Sequence, residues 1–249
     1  DAGLDVGNQA GIGNAVIESV TFNAADSNAN FLNVAGLGTG LTTLTITGAG
    51  AVDLAALETD NMTTVDASGA TGGVTLDLDD AAVNLTVTGG SGDDSFDLSG
   101  TYTSDDTIDG GDGTDTLVLN RAEADPNEVQ ANVSNIEALT IADGGGADTI
   151  DTDQFGVTAA LTFLADLTGA HQVVGLESGA TITLGAAVDD AELNVDLDDA
   201  AGTGDSLTIV YSDTTAADNG DIDLNLTGVE SLTFDASDEA ATNALTQAV

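Results

Sequence analysis

Short runs of alternating apolar and polar residues recur about every ten residues along this chain, and that pattern narrows its possible folds more than any other feature. In VTLDL (74–78), Val74, Leu76 and Leu78 fall on one face while Thr75 and Asp77 fall on the other. VNLTV (83–87), LNVDL (193–197) and IDLNL (222–226) repeat the arrangement, with Asn, Asp or Thr facing out. Gly, Asp and Asn separate the runs, as turns require. The nearest approaches to a helical stripe, 53–60 and 121–133, are short, and Pro126 interrupts the second. The expectation is an all-β protein. Strands pair up at intervals of about twenty residues, which leaves sandwich, barrel and solenoid open until repeats are considered.

A long repeat is present. IESVTF (17–22), IEALTI (136–141) and VESLTF (229–234) are versions of one hexapeptide, and Glu18 lies 119 residues before Glu137. The same offset lays DLDDAA (77–82) on DLDDAA (196–201) and Leu57-Glu58 on Leu176-Glu177. The interval from Glu137 to Glu230 is shorter, 93 residues. This predicts a tandem array of 1–135, 136–228 and the start of a third unit at 229–249, with one continuous solenoid as the alternative. The hexapeptide Glu reads either as an acceptor for backbone N–H groups where a strand begins or as a recurrent cation ligand.

Two loops carry the chemistry. GGSGDDSFD (89–97) and GGDGTDTLV (110–118) both fit G-G-x-G-x-D-x-U-x, where U is a large apolar residue. Glycines let the chain turn and expose carbonyls on one side, Asp adds carboxylate oxygens, and Phe96 or Leu117 returns to the core. Hard oxygen donors of this kind suit Ca²⁺ and poorly suit Zn²⁺. The candidate ligands are Gly90, Gly92, Asp94 and Asp97 in the first loop and Asp109, Gly111, Asp112, Gly113 and Asp115 in the second. The glycine pairs start 21 residues apart, so the loops should stack one rung apart on one edge and share an ion. A near match, DGGGADTID (143–151), keeps Gly144, Gly146 and Asp148 but has Asp143 in place of the first Gly. A remnant, GTGDSL (202–207), keeps Asp205.

Charge bears on every one of these sites. The 249 residues hold 44 acids, 35 of them Asp, against a single cationic side chain, Arg121, for a formal charge of −43. Nucleic acid and anionic membrane surfaces need the Lys and Arg that are missing. With one His, no Cys and one Arg, most nucleophile–base triads and phosphate clamps cannot be assembled, so the chain is not expected to be an enzyme. At 41% hydrophobic residues the composition is not that of a disordered chain, but a counter-ion has to relieve the self-repulsion. Arg121 is expected to pair locally with Glu123 or Asp125, and His171 to lie at the surface or in a turn. Thr43, Thr45 and Thr47 form a T-x-T-x-T row, a pattern that can bind ice when repeated from rung to rung; no such repetition is expected here. No cationic n-region opens the chain at Asp1, and no stretch is apolar enough to span a membrane.

Together the two nonapeptides, the IE-x-LT-type hexapeptides and the TTVDASGATGGVTLDL stretch (63–78) resemble RTX-type bacterial surface proteins, above all the Ca²⁺-dependent surface-layer proteins. The resemblance implies a right-handed parallel β-solenoid or β-roll with irregular coils of about 20 residues. It also implies type I secretion and Ca²⁺-triggered folding and assembly outside the cell. The expected function is a structural subunit of an extracellular calcium-dependent array or filament, partnered by copies of itself and by cell-surface polysaccharide. The alternatives are an adhesin stalk or Ca²⁺-dependent binding module, and the calcium-binding tail of a secreted enzyme. Few nonapeptides are intact and no C-terminal secretion signal is evident at Val249, as expected for a piece of a larger chain.

Overall fold

The computed structural model describes residues 17–25, 30–31, 40–54, 61–81, 84–125, 132–145, 147–185, 188–198, 204–211 and 222–235. Gly146, Leu57-Glu58, Ala82 and residues 199–201 and 236–249, all named above, lie outside them. The protein is all-β, with parallel strands stacked as a β-solenoid of about eight turns. It divides into two compact units, residues 1–118 with 130–136, and residues 119–129 with 137–249.

In the first unit, successive strands alternate between two sheets. Ser19–Ala24, Thr43–Gly48, Thr64–Ala70, Thr86–Thr88, Thr107–Asp109 and Val133–Ser134 make one sheet in that order. Asn30–Phe31, Val52–Leu54, Val74–Asp77, Ser95–Asp97 and Thr116–Leu119 make the other. The pairings are parallel, which a solenoid achieves by spending a whole coil as the crossover. Register aligns like with like: Leu44, Val65, Val87 and Ile108 form one inward column, and Leu54, Leu76, Phe96 and Leu117 face them from the other sheet. All eight are essentially fully buried, each stabilising the fold by about 1.5–3 kcal/mol relative to exposure. The period-two alternation read from the sequence is therefore the alternation between this core and solvent.

The second unit is built the same way. Ala138–Ile141, Ala160–Phe163, Ala180–Leu184, Ser206–Tyr211 and Ser231–Asp235 form one sheet, and Thr149–Asp151, Leu167–Val174, Val188–Asp196 and Ile222–Thr227 the other. Leu139, Leu161, Ile182, Ile209 and Phe234 make a continuous column. The second and third hexapeptides thus supply two strands of one sheet, Ala138–Ile141 and Ser231–Asp235. Residues 121–124, inside a segment with weak helical character, form a single 3₁₀ turn, and Val133 is already in a strand. Among the described residues no helix is long and apolar enough to cross a membrane.

Candidate cation-binding loops

Residues Gly89–Asp94 connect Thr86–Thr88 to Ser95–Asp97, and Gly110–Asp115 connect Thr107–Asp109 to Thr116–Leu119. Because both flanking strands pair in register, the two loops sit one above the other on one edge of the first unit. Glycine is required there. Gly111 has φ +98°, and a Cβ on it would collide with the carbonyl oxygen of Gly90 one rung away. Asp112 N–H donates to that same carbonyl at 3.0 Å.

The two central carboxylates are turned into the fold. Asp94 is 2% exposed and Asp115 0%. Asp94 Oδ2 accepts the N–H of Gly90 at 2.7 Å, closing its own loop, and Oδ1 accepts the N–H of Val74 at 2.7 Å. Asp115 Oδ1 accepts the N–H of Asp94 at 2.7 Å. Burial pushes the Asp94 carboxyl up; the Gly90 and Val74 bonds pull it back down, and the Asp93 charge adds to the rise.

The same device recurs elsewhere. Asp106, 3% exposed, accepts the N–H of Leu85 at 2.6 Å and, through Oδ2, that of Thr103 at 2.7 Å. In the second unit Glu230 Oε2 accepts the N–H of Asp205 at 2.9 Å. Register shows the common rule, since Ser95 pairs with Thr75, Thr116 with Ser95, Thr107 with Thr86 and Ser231 with Ser206. In each case an acid just ahead of a strand accepts the N–H of the residue at the same position one rung earlier. At Glu230 the hexapeptide Glu therefore acts as a backbone acceptor; all three hexapeptide acids, Glu18, Glu137 and Glu230, are exposed. Asp106 and this staple were not legible from spacing, because the donor lies 20–25 residues away.

The remaining candidates are dispersed. Asp97 and Asp109 end their strands and accept the N–H two residues on, from Ser99 at 3.0 Å and Gly111 at 3.2 Å; Asp109 also accepts Nδ2 of Asn135 at 2.7 Å. Asp112 and Gly113 are exposed, and Gly90 and Gly92 half-buried. Asp93 Oδ1 accepts the N–H of Thr114 at 2.9 Å, tying the two loops together. Asp205 is 8% exposed, and its Oδ2 has no hydrogen-bond partner among the described residues. Oxygen is the right donor type for Ca²⁺. However, among the described residues no group of three or more His, Cys, Asp or Glu side chains converges as a ready metal cage. An ion at this edge would draw on loop carbonyls around single carboxylates.

Exposed acids crowd at other turns. Burial first, then the hydrogen bond and charge of Asp77 and the charges of Asp80 and Asp97, push the Asp79 carboxyl up to about 6. In the second unit burial, Asp198, Asp151 and Glu177 do the same to Asp153, also to about 6.

The third loop behaves differently. Arg121 reaches residues more than twenty positions on: Nη1 donates to Asp148 Oδ2 at 2.7 Å, Nη2 lies 3.4 Å from Asp143 Oδ2, and the Arg121 N–H donates to Asp143 Oδ1 at 2.7 Å. Glu123 accepts the Asn120 N–H at 2.7 Å. Gly144 is half-buried, and Gly146 lies outside the described residues. His171 is not at the surface: it is 0% exposed, points inward from Leu167–Val174 and stacks in register beneath Leu193. Burial pushes its pKa down, as does the Arg121 charge.

As expected, the full T-x-T-x-T row of Thr43, Thr45 and Thr47 is not repeated on the neighbouring rungs, but its first position is part of a longer hydroxyl column. Ser19, Thr43, Thr64, Thr86 and Thr107 align in one outward column of the first unit, and Thr21, Thr45, Asp66, Thr88 and Asp109 in the next. Unequal coil lengths had hidden the alignment. Comparison of the chain with protein-family models, with curated proteins and with solved structures finds no match.

Proposed function

We propose that this chain is a structural element of an extracellular, calcium-dependent array of the surface-layer or cell-surface-filament kind. Its partners are copies of itself and cell-surface polysaccharide. The observation that supports the reading best is the way the molecule is built: rungs stack in parallel register, and at four places an acid staples one rung to the next. Acids not used as staples crowd at the turns and repel. At one turn burial, and then the neighbouring acids Asp77, Asp80 and Asp97, push the Asp79 carboxyl up to about 6, and divalent cations would supply a counter-ion to these four carboxylates. Calcium on such rows would screen the −43 chain and bridge one copy to another. The experiment is light scattering and circular dichroism during Ca²⁺ addition and EGTA removal. Growth of ordered particles with Ca²⁺ and their dispersal by EGTA are expected; particle size and spectrum indifferent to both would overturn the reading.

A second reading has its own observation, the Ser/Thr column of Ser19, Thr43, Thr64, Thr86 and Thr107 with a mixed Thr/Asp column beside it. Hydroxyls repeat at about 4.8 Å between rungs in the Ser19–Thr107 column, and on the rungs of Thr21, Thr45 and Thr88 a second hydroxyl follows about 6.7 Å along the strand; Thr holds few χ1 rotamers. Such a grid suits a binding module that docks on a surface periodic in two dimensions, with ice as the test surface.

A further inference from the structure

We propose that Asp143, Gly145 and Asp148 form a cation seat filled by the chain's own guanidinium, so that Arg121 is a tethered counter-ion where the other Gly/Asp loops have none. The alignment of the loops carries the argument. Asp148 holds the position of Asp94, and Asp143 the position of Gly89. Asp94 gives both oxygens to backbone N–H groups, whereas Asp148 Oδ2 takes Nη1 of Arg121 at 2.7 Å. The acid that replaces the first glycine adds two further contacts to the same residue, Nη2 at 3.4 Å and the backbone N–H at 2.7 Å.

The seat is shaped for a flat cation. Gly145 has φ +116°, and the nearest atom to a Cβ placed there is Arg121 Nη2 at 3.2 Å, so the bare backbone lies against the guanidinium. The Arg121 side chain is only 12% exposed, against 39% and 34% for the two carboxylates. A planar fork of donors matches two carboxylates better than a point charge does. His171 is buried on the strand that pairs with Thr149–Asp151, and its lowered pKa keeps it from adding a second positive charge. The chain's one cationic side chain is thus placed where two acids meet. The ligand class of the seat is a guanidinium or, without Arg121, a small free cation.

The test is Arg121→Ala, melted in EGTA so that the outcome stands apart from the calcium proposal. We expect Tm to fall by about 5 °C, with at least half of the loss recovered in millimolar methylguanidinium and none in NaCl of equal ionic strength. An unchanged Tm, equal recovery in NaCl, or no recovery at all would overturn the proposal. If the variant does not fold in EGTA, folding on addition of methylguanidinium supports the seat, and failure to fold overturns it. Arg121→Ala with Asp143→Asn and Asp148→Asn removes the repulsion as well. It should melt above the single variant in EGTA and ignore methylguanidinium; melting no higher than the single variant overturns the proposal.

Discussion

Asp115 and Asp94 are joined across one rung: Oδ1 of Asp115 accepts the N–H of Asp94 at 2.7 Å, and both residues are buried. The carboxylate takes up a backbone donor that the ladder has not yet paired where the strand begins. Asp115→Ala should therefore cost about 1.5–3 kcal/mol, the value of a hydrogen bond to a charged group, and it should do so in EGTA. Urea melts of the metal-free protein check this. A loss that appears only when Ca²⁺ is present would assign Asp115 to metal binding instead.

Removing one acid from the crowded turn has the opposite sign. Asp79 stands among Asp77, Asp80 and Asp97. Asp79→Asn should raise Tm in EGTA at pH 7.5 and shrink the further rise produced by Ca²⁺. Differential scanning calorimetry of both proteins, with and without the ion, gives the comparison.

Stability should also increase on mild acidification. Asp79 and Asp153 titrate near 6 in the folded protein, above the usual carboxylate value of 3.8. The folded state binds these protons more tightly than the unfolded chain. Their contribution is thus complete below about 4 and is lost as pH rises through 6. His171 works against this, because its lowered pKa makes stability fall as pH drops through 6.5. In EGTA the urea midpoint should rise between pH 7.5 and pH 5, and rise further in His171→Leu. A midpoint flat or falling in both proteins would contradict these assignments.

Close stacking of the loops leaves no room at Gly111. Gly111→Ala places a side chain at φ +98° against the carbonyl of Gly90. A loss of about 2 kcal/mol or more in chemical denaturation is expected, together with faster amide exchange at Asp112, whose N–H bonds that carbonyl.

If the Thr face docks on ice, the wild-type protein will show thermal hysteresis, and Thr64→Lys, in the middle of the column, will abolish it without changing Tm. No hysteresis in the wild type removes the second reading.

Much of the fold was legible because it follows from local pattern. Val74, Leu76 and Leu78 had to share a face, and they line the core as the alternation requires. The glycine pairs at 89 and 110 had to stack once the coil was about twenty residues, and register puts them there. The direction of the acids was not legible. Asp94 reads in sequence as a metal ligand, and no local pattern shows that its carboxylate accepts the N–H of Val74, 20 residues earlier. Nothing near Arg121 in the sequence showed that its guanidinium meets Asp143 and Asp148, more than twenty residues on. His171 read as a surface residue because its inward position depends on the strand register beside Leu193.

The sequence alone determined an all-β chain with a short period, loops rich in hard oxygen donors, and a charge that one arginine cannot balance. Alternation, glycine freedom and net charge are properties of neighbouring residues or of simple counts, and so they survive without coordinates. Only the tertiary structure decided which acids staple rungs, which crowd at turns and which hold the guanidinium. Those roles depend on what stands one rung away. That in turn is set by the length of each coil, and coils of unequal length bring together residues whose separation no local pattern records.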